Sequence, residues 1–61
     1  MKPTKKQIEG MRVKVLKTDN YVYHTKAYQY WLDPGGHLVR ARLSDIDTMA
    51  MYEQDAIEVL D

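Results

Sequence analysis

The four residues Asp33-Pro34-Gly35-Gly36 constrain the fold of this chain more than any other segment. Proline sets the backbone angle of an early turn position, and glycine accepts the positive φ that a tight reversal needs next. Strand-like runs lie on both sides, at 27–32 and 37–43. In the second run Val39, Ala41 and Leu43 alternate with Arg40 and Arg42, which is the period of a half-buried strand. We therefore predict an antiparallel hairpin.

The same period of two occurs near the start of the chain. Arg12-Val13-Lys14-Val15 alternates basic and apolar residues, which predicts a first strand with Val13 and Val15 inward and the basic pair toward water. Thr4-Lys5-Lys6-Gln7 has the form of a capping box, and Gly10 is placed to end a short helix after it. We expect residues 1–9 to be a basic tail or a single helical turn that precedes a β domain at 10–61.

Shorter signals complete the predicted order of elements. They indicate a turn at 18–20, an extended segment at 21–25, a second turn at 44–47, a fourth strand at 48–53, a 3₁₀ turn at 54–56 and a last strand at 57–60. This order predicts an all-β fold, a small five-stranded SH3-like barrel.

Length and composition limit the functions open to the chain. It has 61 residues and no cysteine, which excludes disulfides and thiolate metal sites. Nine basic residues balance nine acidic ones, and this weighs against a dedicated nucleic-acid binder. Because no apolar run reaches membrane-span length and no secretory signal is recognisable, we expect a cytoplasmic protein, or one at the cytoplasmic face of a membrane complex.

The sequence contains no convincing catalytic constellation. His24 and His37 lie in or beside turns without metal-ligand spacing, and the acidic residues fall mostly in turns, where they bond the backbone. Gly35-Gly36 lacks the strand–loop–helix setting of a phosphate-binding loop. We expect no enzyme activity, no metal and no cofactor.

Aromatic and basic residues provide the candidate binding surface. Tyrosine and tryptophan combine an apolar body with a polar group and are enriched where surfaces are recognised. Tyr28 and Tyr30 suit the core of a barrel. The candidate partner-binding residues are Arg12, Lys14, Lys17, Tyr21, Tyr23, Trp31, Arg40 and Arg42.

A family resemblance adds to this interpretation. Gly10-Met11-Arg12-Val13-Lys14-Val15-Leu16-Lys17 with Asp19-Asn20-Tyr21, and the closing stretch 49–59, resemble the SH3-barrel electron-transport accessory proteins. These include the small SH3-like proteins of photosystem I and of the photosynthetic NADH-dehydrogenase-like complex, and the variable chain of ferredoxin–thioredoxin reductase. The resemblance implies an accessory protein that helps to dock acidic ferredoxin on a redox complex. Type II dihydrofolate reductases share the predicted barrel, but only Tyr52 agrees with their active-site strand, so reductase activity is not expected.

The sequence therefore predicts a non-catalytic accessory or docking module that binds a protein, with an acidic ferredoxin-like protein or a larger complex as the partner. Two alternatives stay open. One is a small nucleic-acid- or ribosome-associated barrel, and the other is a phage or mobile-element protein that binds and inhibits a host complex. Under each of these three hypotheses the chain could form a homo-oligomer, and we expect no insertion into a membrane.

Overall fold

The structure is a computed structural model that describes residues 3–49 and 56–61. Its elements follow the order α1 (Lys5–Lys17), β1 (Val22–His24), β2 (Tyr28–Leu32), β3 (Leu38–Arg42), α2 (Leu43–Asp47) and β4 (Glu58–Val59). Among the described residues, no helix is long and apolar enough to cross a membrane.

Helix α1 begins at the predicted capping box. The backbone N–H of Gln7 donates to the Thr4 hydroxyl at 3.2 Å, and the Thr4 N–H donates to the Gln7 side chain at 2.8 Å. The helix does not end at Gly10, as the sequence predicted, but continues to Lys17. A glycine inside a helix costs about 0.5–1 kcal/mol relative to alanine, which the packing of α1 offsets.

The predicted first strand is therefore wrong, because residues 12–15 belong to α1. Ile8, Met11 and Val15 follow the i, i+3, i+7 spacing that places side chains on one helical face, and all three pack into the core. Val13, predicted to point inward, is 50% exposed. The helix also crosses the predicted boundary between a tail at 1–9 and a domain at 10–61.

The four strands form one antiparallel sheet in the order β1-β2-β3-β4. Strands β2 and β3 make the predicted hairpin, with Tyr30 opposite Arg40. At its turn, Gly36 has a φ of 85° and its N–H donates to the Asp33 carbonyl at 2.9 Å. The Asp33 carboxylate also accepts a bond from the His37 N–H at 2.9 Å. The turn chemistry that the sequence predicted is confirmed.

The segment after β3 departs from the predicted pattern. Residues 44–47, predicted as a turn, belong to the single-turn helix α2, which also includes Leu43 from the end of the predicted strand. Thr48 and Met49 follow it as a turn instead of starting a strand, and the rest of the predicted strand at 48–53 lies outside the described residues. Of the predicted 3₁₀ turn at 54–56, only Ala56 is described, and it has no helical assignment. The predicted last strand at 57–60 is represented by β4.

The core lies between α1 and one face of the sheet. Val15 from the helix meets Tyr30 of β2 and Leu38 at the start of β3, and all three are buried. Tyr28 packs against the same cluster, as its predicted core position requires. Since neighbouring residues of a strand point to opposite faces, Trp31 and Val39 lie on the sheet face away from α1.

The predicted antiparallel β-sheet is confirmed, but the described residues also form two helices, so the fold is neither all-β nor the predicted five-stranded barrel. They build a four-stranded sheet that is not closed, with a helix covering one face. A closed barrel encloses its core between its own strands, whereas here α1 supplies the second layer.

Candidate partner-binding surface

The outer side of α1 presents lysines next to exposed apolar side chains. Val13 and Leu16 are 50% and 51% exposed, and Lys14 and Lys17 are exposed on the same outer half of the helix, with Leu16 and Lys14 on its two flanks. Ile8, Met11 and Val15 form an apolar stripe on the other side of the helix, and this stripe faces the sheet. Val13, Leu16 and Lys17 are therefore directed away from the sheet. Together with Tyr21, the residues Val13, Lys14, Leu16 and Lys17 define what we term the helix–turn surface.

Tyr21 belongs to the turn that follows α1 directly. The helix ends where the Thr18 N–H and hydroxyl both donate to the Val15 carbonyl, at 3.2 and 2.7 Å. The Tyr21 N–H then donates to the Thr18 carbonyl at 3.3 Å, which folds the chain back within one turn of the helix end. The side chain of Tyr21 is 58% exposed.

Lys14 and Tyr23 meet at the edge of the sheet. The Lys14 ammonium lies 5.5 Å from the centroid of the Tyr23 ring, within the range of a cation–π contact. Tyr23 is half-buried in β1 and packs against the core, so its ring is a fixed support for the lysine. The structure thus brings Lys14, Lys17, Tyr21 and Tyr23 of the predicted set to one end of α1.

Arg12 is held by contacts inside the chain. Its guanidinium donates to the Gly36 carbonyl at 2.9 Å, contacts the Asp61 carboxylate and lies 3.8 Å from that of Glu9. These contacts tie α1 to the β2–β3 turn and to the end of the described chain. Arg12 therefore has a structural role that its predicted exposure did not anticipate.

Arg40 departs furthest from its prediction, since it was expected on a solvent-facing side of β3 and is only 8% exposed. Its Nε donates to Glu58 at 2.9 Å and its Nη1 to the Tyr30 hydroxyl at 3.4 Å, while the guanidinium carbon lies 4.2 Å from the Tyr28 ring centroid. Burial alone would lower the pKa of Arg40. The bonds to Glu58 and Tyr30 outweigh it and raise the pKa above its usual value, so Arg40 stays charged.

Arg42 and Trp31 lie elsewhere. Arg42 is exposed and forms an ion pair with Asp45 at 3.0 Å, which links β3 to α2. Trp31 is half-buried on the sheet face opposite α1, between Val22 and Val39 in the strand register.

The charges of the chain are separated along its length. Helix α1 contains five basic residues and one acidic residue, which is a net charge of +4. Residues 43–61 contain six acidic residues and no basic one, which is a net charge of −6. Within residues 3–49 and 56–61, neither Lys14 nor Lys17 is in an ion pair.

A cavity of about 270 Å³ opens between the start of α1 and the sheet. Its walls are mostly apolar, and its polar groups come from Arg40, Tyr30 and Gln7. Arg40 donates to Glu58 and to the Tyr30 hydroxyl, and the Gln7 side chain accepts a bond from the Thr4 N–H, so these groups already have partners inside the chain. Among the described residues, no three His, Asp or Glu side chains converge as metal ligands.

Sequence reasoning missed the two apolar residues of the helix–turn surface. It placed Val13 inward and assigned no role to Leu16, because it took residues 12–15 as a strand. The spacing of Ile8, Met11 and Val15 was the signal that could have shown a helix with Val13 and Leu16 outside.

No protein-family model matches this chain, and no curated protein or solved structure is significantly similar to it. The resemblance to SH3-barrel accessory proteins stays a prediction. Residues 10–17, which were compared with the first strand of those proteins, lie in α1.

Proposed function

We propose that this protein is a non-catalytic binding module that docks onto an acidic surface of another protein through the helix–turn surface. The observation that carries the proposal is the concentration of charge in α1, where five basic residues accompany a single acidic one. Lys14 and Lys17 are exposed on the same outer half of α1 as Val13 and Leu16. Such a surface offers both charge attraction and apolar contact to a partner.

Charge and apolar contact contribute to different steps of binding. Complementary charge mainly speeds the encounter and selects against basic partners, while affinity comes from side chains that become fully desolvated in the complex. Lysines on the rim of a small apolar patch suit this division of roles. An acidic electron-transfer protein of the ferredoxin kind is one partner with the required chemistry, and an acidic surface of a larger host complex is another.

The same features favour a protein partner over a nucleic acid. The chain as a whole is neutral, and the six acidic residues after position 42 repel an extended polyanion. A discrete acidic patch on a protein needs to contact only the helix–turn surface, and the nearby Asp61 carboxylate is already paired with Arg12. Nucleic-acid binding is therefore an outcome that a binding test must distinguish.

The test compares charge reversal on the helix–turn surface with charge reversal elsewhere. The double variant Lys14→Glu/Lys17→Glu removes the proposed attraction, and Lys26→Glu, at an exposed lysine in the β1–β2 loop, is the control. Fluorescence anisotropy would measure binding to poly-L-glutamate, to an acidic [2Fe–2S] ferredoxin and to a single-stranded oligonucleotide. Each titration is run at ionic strengths of about 0.01 M and 0.15 M, between which the Debye length falls from about 30 Å to about 8 Å.

We expect the unmodified chain to bind at least one of the two acidic polypeptides at low ionic strength and less tightly at high ionic strength. The double variant should lose this binding and Lys26→Glu should retain most of it. Stronger binding to the oligonucleotide, or no binding to either polypeptide, would reject the proposal. A loss of binding free energy in Lys26→Glu about half that in the double variant, in proportion to their changes in charge of about −2 and −4, would show that net charge, and not the helix–turn surface, is responsible.

A further inference from the structure

Tyr21 combines exposure with an unusual backbone conformation. Its φ is 58°, in the left-handed region that bulky residues rarely adopt, and its side chain is 58% exposed. A glycine or an asparagine would accept this backbone more readily. The exposed ring does not compensate by filling the core, so the fold alone does not account for a tyrosine here.

The turn holds Tyr21 in place through bonds on both sides of it. The Tyr21 N–H donates to the Thr18 carbonyl at 3.3 Å, and the next N–H, of Val22, donates to the Asn20 side chain at 3.3 Å. Val22 then enters β1 and pairs with β2. A large side chain on a fixed turn loses little backbone freedom when a partner covers it, which favours tight binding.

Tyr21 follows the basic helix after only three residues and adds a large exposed apolar side chain near its end. Five large apolar side chains are exposed in the part of the chain that the structure describes: Val13, Leu16, Tyr21, Met49 and Val59. Three of these five belong to the helix–turn surface, beside Lys14 and Lys17. A partner that matched only the lysines would leave three apolar side chains in water.

We infer that Tyr21 is the anchor residue of the helix–turn surface, and that the partner presents a protein segment in which carboxylates accompany aromatic or large aliphatic side chains. This inference rests on the proposed function and specifies its partner. The carboxylates would face Lys14 and Lys17, and the apolar side chains of the segment would cover Tyr21 and Leu16. Tyrosine suits the anchor position because its ring buries a large area while its hydroxyl still bonds at the rim.

An anionic membrane is a less suitable occupant of the same surface. The continuous apolar stripe of α1, formed by Ile8, Met11 and Val15, is already packed on the sheet. A helix that lies on a bilayer needs such a stripe free to enter the lipid. Val13 and Leu16 alone, with lysines around them, do not form one.

Met49 provides a matched control for Tyr21. It too is 58% exposed, with a φ of 62°, and it lies in the acidic part of the chain after α2. Tyr21→Gly and Met49→Gly each remove a large exposed side chain and relieve a positive φ. Both variants should unfold at midpoints equal to or above that of the unmodified chain, because glycine accepts this backbone. A difference in binding between them then reports the role of the side chain.

The probes are poly-L-glutamate and a random copolymer of glutamate and tyrosine, with vesicles of anionic phospholipid as a third arm. We expect the unmodified chain to bind the copolymer more tightly than poly-L-glutamate. Tyr21→Gly should lose this preference, with a fall of about 10-fold or more in affinity for the copolymer, the size typical of an interface anchor. Met49→Gly should keep it.

The outcomes separate this inference from the proposed function. If the unmodified chain binds neither polymer, the inference fails, and the proposed function fails with it only if the acidic ferredoxin does not bind either. If both bind equally well, or if Tyr21→Gly retains the preference, the role of Tyr21 is refuted while docking on acidic proteins stands. Tighter binding to the vesicles than to the copolymer would also overturn the inference.

Discussion

Truncation of Val13 and Val15 to alanine, one at a time, should reduce stability by very different amounts. The two residues are identical in type and two positions apart in α1, but Val15 is fully buried while Val13 is 50% exposed. In a strand the two side chains would share a face and respond alike. In a helix they lie about 160° apart around the axis, because a helix has about 3.6 residues per turn.

The expected magnitudes follow from burial. Val→Ala removes two carbons, worth about 0.8 kcal/mol each when buried, so Val15→Ala loses about 1.6 kcal/mol plus the cost of the cavity, or about 2–3 kcal/mol. Because Val13 is half exposed, Val13→Ala loses at most about half of this transfer free energy, or about 0.8 kcal/mol. Alanine is the better helix former at both positions by up to about 0.7 kcal/mol. This gain brings the net change in stability of Val13→Ala close to zero. It is the same for both variants, so it does not affect the difference between them.

Urea unfolding followed by circular dichroism would measure the difference, which we expect to be about 1.5–2 kcal/mol. In a chain of this size that corresponds to about 10 °C in unfolding midpoint. The urea m value should be unchanged in both variants, which shows that the same surface is exposed on unfolding. Equal losses for the two variants, or a larger loss for Val13→Ala, would refute the assignment of these residues to a helix.

Two further pairs of substitutions test the structural roles of individual residues. Gly10→Ala should stabilise by about 0.5–1 kcal/mol, because a methyl group there meets nothing within 4 Å and glycine weakens a helix interior. Gly36→Ala should destabilise by about 1 kcal/mol, because its φ of 85° disfavours a side chain, and thermal unfolding should therefore shift in opposite directions. Arg40→Ala should cost about 2 kcal/mol, since it removes a buried guanidinium and leaves the Tyr30 hydroxyl and the partly exposed Glu58 carboxylate without their partner. Arg42→Ala removes the exposed pair with Asp45 and should change stability by less than about 1 kcal/mol, so similar losses for the two arginines would contradict their assigned burial.

The role assigned to Arg40 changes how the predicted binding residues are to be interpreted. Alternation along β3 correctly separated Arg40 from Val39 and Ala41, but it could not show that both sides of the strand are covered, since Val39 and Ala41 are also only 2% and 1% exposed. Helix α1 covers the side that carries Arg40. Arg40 and Arg12 thus contribute to the fold, and the positive charge available to a partner comes from the lysines of α1.

Local signals in the sequence were sufficient for three parts of the fold. The capping box at Thr4 and Gln7 depends on residues three apart, and the hairpin turn at 33–36 depends on the intrinsic angles of proline and glycine. Strands β2 and β3 follow from alternating side chains on either side of that turn. Each of these signals acts over a few residues and does not depend on distant parts of the chain.

Only the tertiary structure decided whether residues 12–15 are a strand or part of a helix. Four alternating residues fit both, because Val13 and Val15 satisfy a period of two while Ile8, Met11 and Val15 satisfy a period of 3.6. The choice depends on the apolar face of the sheet around Tyr30 and Leu38, which the stripe of α1 covers. That packing buries Val15, exposes Val13 and Leu16, and so forms the helix–turn surface. The residue types of a binding surface were present in the sequence, but the contacts that place them together arise only when α1 packs on the sheet.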